Sequence, residues 1–154
     1  NWITMGYDKD LNKAWDILKT ETAKYYAEQR KLPEEKAAAL IATLSDCRVS
    51  EVVNISKGVY CMNPKDGKTK IAAEHPSADT PKYFVTAATD ADLNKAMDGA
   101  SMAMIHLLQE KKKLSRLDAY GLASVAMDCR LGAMSDGAKS VHCLLPKSLW
   151  VARK

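Results

Sequence analysis

The sequence has no run of 18 or more apolar residues, although 47% of its 154 residues are hydrophobic. A helix that crosses a bilayer needs about 20 mostly apolar residues, so we expect no membrane-spanning segment. No basic stretch followed by an apolar one opens the chain, and its first residue is Asn1 rather than Met. We therefore expect a fragment, a processed product or a separate subunit.

Aromatic residues and clustered charge are also scarce, at 6% aromatic residues and a formal net charge of +4. The densest basic run, EKKKLSR at 110–116, contains no aromatic residue. A single-stranded nucleic-acid site combines basic groups with aromatic rings on which bases stack. We interpret the run as the solvated C-terminal end of a helix, where cations interact favourably with the helix dipole. No nucleic-acid partner is predicted.

Metal-binding patterns are missing as well. The cysteines show no C-x-x-C spacing and the histidines are far apart, so the sequence predicts no metal and no cofactor bound by this chain. We interpret all four cysteines as small core residues, and their modest number favours a reducing, cytoplasmic setting. The cysteines are Cys47, Cys61, Cys129 and Cys143, and the histidines are His75, His106 and His142.

What the sequence does contain is an internal repeat. Shifting the chain by 82 residues aligns 1–65 with 83–147 without a gap and with 21 identities. Agreement over such a length indicates duplication. The stretch at 66–82 is polar, with a glycine and two prolines, and is predicted to be a linker. We expect a first unit at 1–65 and a second at 83–154, together forming one compact domain.

Each copy shows the pattern of a strand, a long helix, a shorter helix and a closing strand. Two such units predict an α/β fold of tandem strand–helix–helix–strand repeats, with the helices packed on one face of a shared sheet. Asp8 and Asp90 are the predicted N-caps of the long helices, and Pro33 the first residue of a second helix. The second helices are expected at Glu34 to Leu44 and at Arg116 to Met127, and Pro64 and Pro146 stop the closing strands.

The tripeptide Asp-Cys-Arg occurs in both copies, at 46–48 and 128–130. In one interpretation the aspartate is a general base or metal ligand, the cysteine a nucleophile and the arginine an anion clamp. In the other, Asp and Arg brace the exit of the second helix while the cysteine packs inward. Adjacent side chains diverge in direction, which favours the structural interpretation. The weak catalytic candidates are Asp46, Arg48, Glu51, Asp128 and Arg130.

The sequence motifs of both copies resemble the C-terminal segment of the acetamidase/formamidase family. ITMGYDKDLNKA at 3–14 is similar to the family's strand-to-helix entry, and KLSRLDAYGLAS at 113–124 to its middle part. SDCRVSEVVN at 45–54 and LLPKSLW at 144–150 are similar to the last two pieces. The second copy departs from the family pattern at Ala88, where the family favours the glycine seen at Gly6. The occurrence of two tandem copies is also unlike the family's usual arrangement.

The resemblance implies part of a short-chain amide hydrolase that releases ammonia from formamide- or acetamide-like substrates. The family's β-rich N-terminal region, with its His and Asp segments, has no counterpart here. A complementary β-rich chain or a missing N-terminal portion would then supply it, together with a divalent metal such as zinc, in an oligomeric assembly. The alternative is a non-catalytic structural or assembly module derived from the same family by duplication. The first copy is favoured as substrate-facing because it keeps Glu51 and the V-V-N run at 52–54.

Overall fold

A computed structural model describes residues 1–52, 55–72, 78–135 and 137–150 of the chain. The chain divides into two compact units, Asn1–Glu74 and His75–Lys154, which we call unit 1 and unit 2. Each unit combines helices with an antiparallel sheet, so the mixed α/β class predicted from the sequence is confirmed. Within the described residues, no helix has both the length and the apolar character needed to cross a membrane.

Unit 1 consists of three strands and three helices. The elements are β1 (Trp2–Asp8), α1 (Leu11–Arg30), α2 (Glu34–Ala38), α3 (Ile41–Leu44), β2 (Asp46–Glu51) and β3 (Lys57–Asn63). The strand order is β1-β3-β2, and both pairings are antiparallel. The last strand of the unit therefore lies between the other two.

Unit 2 has the same order of strands and long helices. The elements are β4 (Tyr83–Asp90), α4 (Leu93–Lys112), α5 (Arg116–Ala126), β5 (Asp128–Ser135), β6 (Ala138–Pro146) and a 3-10 helix (Lys147–Trp150). The strand order is β4-β6-β5, again antiparallel. Its register is that of unit 1 moved by 82 residues: Gly6 pairs with Val59, and Ala88 pairs with Val141.

The structure corrects the element that contains the two Asp-Cys-Arg tripeptides. The prediction placed them at the exit of a helix, whereas they begin strands β2 and β5. The period of two explains the strand, because Cys47 and Val49 alternate with Asp46 and Arg48 on opposite sides. The predicted single helix from Glu34 to Leu44 is also wrong, since it is divided into α2 and α3.

The helix starts lie close to their predicted places but not on them. Asp10 and Asp92 are the N-caps of α1 and α4, and their carboxylates accept the backbone N–H of Asn12 and Asn94. The predicted caps Asp8 and Asp90 instead accept the N–H of the capping aspartates. Pro33 is itself the N-cap of α2 rather than its first helical residue. The motif SRLD at 115–118 is close to a capping box and predicts a helix start at Ser115. Ser115 does cap α5, accepting the N–H of Asp118.

Apolar residues at the helical period in the sequence predict one buried stripe on each long helix, the second ending at Leu107. Most residues of these stripes are buried. Leu11, Ala14, Leu18 and Tyr25 of α1 are buried, and so are Leu93, Ala96, Ala100 and Met104 of α4. Leu107 was also predicted in the stripe but is only partly buried, and Leu108 is buried instead. A helical period of 3.6 residues accounts for that one-residue shift near the helix end.

The approach of α1 to β1 is closest at Gly6. A Cβ atom at this position would clash with the Ala14 carbonyl oxygen and lie 2.7 Å from the Leu18 nitrogen. Thr4, on the same side of β1, exchanges a hydrogen bond with Thr22 of α1 at 2.7 Å. This side of β1 therefore faces the helix, and the alternate residues of β1 point away from it.

The predicted linker at 66–82 is ordered at both of its described ends. The Asp66 carboxylate accepts hydrogen bonds from the hydroxyl and N–H of Thr69 and from the N–H of Lys68, which lower the pKa of Asp66 to about 2. At the other end, Thr80 and Asp79 bond to the start of β4. The unit boundary falls between these two ends.

The cysteines are buried, as predicted, but they are disulfide-bonded rather than free. Cys47 is bonded to Cys61, and Cys129 to Cys143. In each unit the two cysteines occupy directly opposite positions of neighbouring antiparallel strands, with Cα–Cα distances of 4.0 and 4.1 Å. The spacing of the cysteines in the sequence does not reveal the disulfides. Cys47 and Cys61 are neighbours only because 46–51 is a strand that pairs with β3, and the sequence predicted no strand there.

We expect each disulfide to stabilise its unit by about 3 kcal/mol, because it closes a short loop in the unfolded chain. The double variant Cys47→Ala/Cys61→Ala should lose this free energy of unfolding in urea titrations under non-reducing conditions. As a covalent check, unfolding the wild-type chain without reductant should leave no cysteine available to an alkylating agent. Four alkylated cysteines in that experiment would contradict the pairing.

Candidate functional site

The candidate residues Asp46 and Arg48 form an ion pair within strand β2. Both side chains lie on the side of the strand opposite Cys47, which bonds to Cys61. The Nε and a terminal nitrogen of Arg48 donate to Oδ2 of Asp46 at 2.9 and 2.6 Å. The Asp46 side chain is 1% exposed and that of Arg48 22%. The arginine thus lies between the carboxylate and solvent.

The second pair, Asp128 and Arg130 on β5, has the same contacts in a different environment. Arg130 donates from Nε and a terminal nitrogen to Oδ2 of Asp128 at 3.0 and 2.8 Å. Here the carboxylate is 37% exposed and the arginine 11%. The two copies share the ion pair, but the less accessible partner is the aspartate in unit 1 and the arginine in unit 2.

These pairs support the structural interpretation of the tripeptide, in which Asp and Arg brace each other and Cys packs inward. The bracing takes place along a strand rather than at a helix end. Chemically, the arrangement holds a carboxylate with two charge-assisted hydrogen bonds from one guanidinium. The same guanidinium groups that could clamp an anion are directed at the neighbouring carboxylates.

The remaining candidate is Glu51, whose carboxylate is not repeated in unit 2. Glu51 ends β2 and lies opposite Gly58, beyond a register shift, and its counterpart in unit 2 is Ala133, which has no carboxylate. The V-V-N run that favoured the first copy extends into 53–54, which lie outside the described residues. The prediction that this copy faces a substrate stays a prediction.

The two histidines that the structure describes, His142 and His106, occupy separate settings. His142 is the register partner of Arg130, and its Nδ1 is buried without a hydrogen-bond partner within the described part of the chain. His106 is exposed on α4, and His75 lies outside the described residues. Over the described ranges, no group of three or more His, Cys, Asp or Glu side chains is arranged to hold a metal ion.

A buried polar network in unit 1 was missed by the sequence analysis. Asn63 lies at its centre, donating to Thr4 Oγ1 at 3.0 Å and accepting from Ser45 Oγ at 2.6 Å. Ser45 also contacts the hydroxyl of Tyr26 at 2.9 Å, and Thr4 contacts Thr22. Burial raises the pKa of Tyr26, so this hydroxyl remains protonated and able to donate. The network joins α1, β1 and β3.

Unit 2 replaces most of this network by apolar side chains. The residues 82 positions after Thr22, Tyr26, Ser45 and Asn63 are Met104, Leu108, Met127 and Leu145. Only Thr4 keeps a polar counterpart, Thr86, whose hydroxyl donates to the Ala100 carbonyl at 2.8 Å. Aligning the two copies could have indicated the network, because four polar residues of the first copy are aligned with four apolar residues of the second. The network is a property of unit 1 rather than of the shared fold.

We expect the two ion pairs to contribute unequally to stability. Arg48→Met should lower the free energy of unfolding by about 3 kcal/mol, because it removes the guanidinium from a carboxylate that is almost fully buried. Arg130→Met should cost about 1 kcal/mol, because Asp128 is partly accessible to water. Methionine keeps the aliphatic contacts in both variants, so urea titrations compare the loss of charge alone. Equal losses in the two variants would contradict this assignment.

We also expect Asn63 and Ser45 to be energetically coupled. Asn63→Leu should cost about 1–3 kcal/mol, because buried hydroxyl groups lose their partner. Combined with Ser45→Ala it should cost less than the sum of the single variants, by about 1 kcal/mol. Thr20→Ala, on the exposed side of α1, is the matched control and should add to Asn63→Leu without coupling. Additivity between positions 45 and 63 would refute the network.

Comparison with protein-family models, with curated proteins and with solved structures found no match to this chain. The resemblance of its motifs to the acetamidase/formamidase family remains an expectation.

Proposed function

We propose that this chain is a duplicated structural and assembly module. Three features of unit 1 recur 82 residues later in unit 2, which supports descent of both from one ancestral unit. These are the register of the outer strand pair, the disulfide between opposite strands and the Asp–Arg pair. The proposal includes the arrangement expected from the sequence, with the helices of both copies on one face of a shared sheet.

The observation that carries the proposal is the double hydrogen bond from arginine to aspartate within each Asp-Cys-Arg tripeptide. A general base needs an accessible carboxylate, and an anion clamp needs a guanidinium directed at its ligand. In both copies the arginine instead donates twice to the aspartate two residues before it. What duplication retained at these positions is therefore an internal brace, which is expected of a module whose role is to pack and support.

A second candidate function is supported by the motifs at 3–14, 45–54, 113–124 and 144–150. In this proposal the chain is a part of an acetamidase/formamidase-like amide hydrolase. A complementary β-rich chain or N-terminal portion would bring the reacting groups and the divalent metal, which would activate the attacking water. The substrate would be a short linear amide, and the products ammonia and a carboxylic acid.

The cellular setting predicted from the sequence was cytoplasmic. The two disulfides favour an oxidising compartment instead, because cytosolic thiols are normally kept reduced. Repeating the alkylation experiment on protein purified from its natural source would test this choice, since it measures whether the cysteines are bonded there.

We expect the isolated chain to release no ammonia from formamide or acetamide, with or without added zinc. The measurement is a coupled ammonia assay on the wild-type chain, with Asp46→Asn and Asp128→Asn as matched variants. Turnover that disappears in either variant at unchanged melting temperature would refute the structural role. Ammonia release only when a β-rich partner is added would instead support the second candidate.

A further inference from the structure

The edge strand of unit 1 exposes apolar side chains to a degree that its counterpart in unit 2 does not. The side chains of Ile3, Met5 and Tyr7 on β1 are 52%, 48% and 46% exposed. All three point away from α1, on the side of the strand opposite Thr4 and Gly6. Large apolar residues in a row on an edge strand are a template for the addition of another strand.

The same three residues also direct their backbone groups outward. Cys47 and Cys61 lie directly opposite each other at a Cα–Cα distance of 4.0 Å, which is the close, non-hydrogen-bonded type of antiparallel pair. Cys61 therefore turns its N–H and C=O toward β1, where Thr4 is its register partner. Since these directions alternate along a strand, Ile3, Met5 and Tyr7 turn their N–H and C=O groups to the outer edge.

Unit 2 shows how such an edge can be covered. The N–H of Val85, the counterpart of Ile3, donates to Oδ1 of Asp79 at 2.9 Å. Thr80 exchanges hydrogen bonds with Tyr83 at the start of the same strand. The outward side chains that follow on β4 are Ala87 and Thr89, which are smaller or polar. Residues 79–80 thus occupy at the edge of β4 the place that remains open beside β1 within the described part of unit 1.

We propose that strand β1 pairs with β1 of a second copy of this chain, antiparallel and across a two-fold axis at Met5. This register sets Ile3 opposite Tyr7 of the second copy, Met5 opposite its own equivalent, and Tyr7 opposite Ile3. All three are pairs of residues with outward backbone groups, so each pair exchanges both of its hydrogen bonds. The pairing deepens the assembly role proposed above and rests on it.

The self-pairing is favoured over other strands by the side chains it brings together. An aromatic ring beside a β-branched side chain is a stabilising cross-strand pair, and this register makes that pair twice. The only charged residue of β1, Asp8, falls opposite Trp2 of the second copy, so no like charges meet. The helix-free sides of the two sheets become continuous, and the exposed apolar side chains cover one another.

The test uses the full-length chain in sedimentation velocity over a concentration series. The wild type should sediment as a dimer, at twice the 16.9 kDa of one chain. Met5→Lys and Met5→Glu each place two like charges face to face on the axis, and should weaken dimerisation at least about tenfold. Mixing the two variants should restore a dimer, because the charges on the axis are then opposite. Ala87→Lys, at the equivalent exposed position of β4, should leave the dimer intact.

Thermal unfolding of each variant verifies that the fold is unchanged, since position 5 is half exposed. A monomeric wild type, a dimer that survives in both Met5 variants, or a mixture that stays monomeric would each overturn the pairing. Loss of the dimer in Ala87→Lys alone would assign the contact to β4 and overturn it as well. A monomeric chain leaves the ammonia assay untouched, and an active chain leaves the dimer measurement untouched, so the two proposals fail separately.

Discussion

The position of β3 between β1 and β2 is the constraint on which the other features of unit 1 depend. Antiparallel pairing on both sides of β3 fixes, for every strand residue, the face of the sheet to which its side chain points; we call this alternation the parity of the residue. It places Cys47 beside Cys61 on the side of Thr4, and Asp46 with Arg48 on the other side. The same parity directs Ile3, Met5 and Tyr7 both outward and away from α1. One register therefore determines the disulfide, the ion pair and the exposed edge together, and the register of β6 determines the disulfide and the ion pair in unit 2.

The two copies keep this frame while exchanging the side chains that fill it. The close approach of strand and helix combines Gly6 with Leu18 in unit 1, and Ala88 with Gly99 in unit 2. A larger strand residue is thus matched by a smaller helical one, which explains how Ala88 is accommodated where the family pattern favours glycine. Ser50 and Gly58 are neighbours across β2 and β3, whereas the counterparts are Gly132 and Ser140. The serine has changed strands, because the space between them admits one side chain only.

Features that depend on interactions between residues close in the sequence could be predicted, and features that depend on distant residues could not. The strands β1, β3, β4 and β6, the long helices and their apolar stripes follow from local periodicity, which is readable along the chain. Strands β2 and β5 were missed because their short alternating pattern follows a helix directly, and the polar Asp and Arg resemble a helix end. The candidate pairs Asp46–Arg48 and Asp128–Arg130 were found, since ion pairing over two residues is local. The network around Asn63 was not, because it joins residues 59 positions apart.

By itself, the sequence predicted the two copies, the order of most elements and the charged candidates. These depend on composition, period and self-similarity, which need no knowledge of neighbours in space. Only the tertiary structure decided that the cysteines form disulfides and that Arg48 and Arg130 donate hydrogen bonds to Asp46 and Asp128. It also decided that, among the described residues, the outer edge of β1 is open whereas that of β4 is partly covered by Asp79 and Thr80. Each of these depends on which strands become adjacent, and adjacency is set by packing between distant segments rather than by any local pattern.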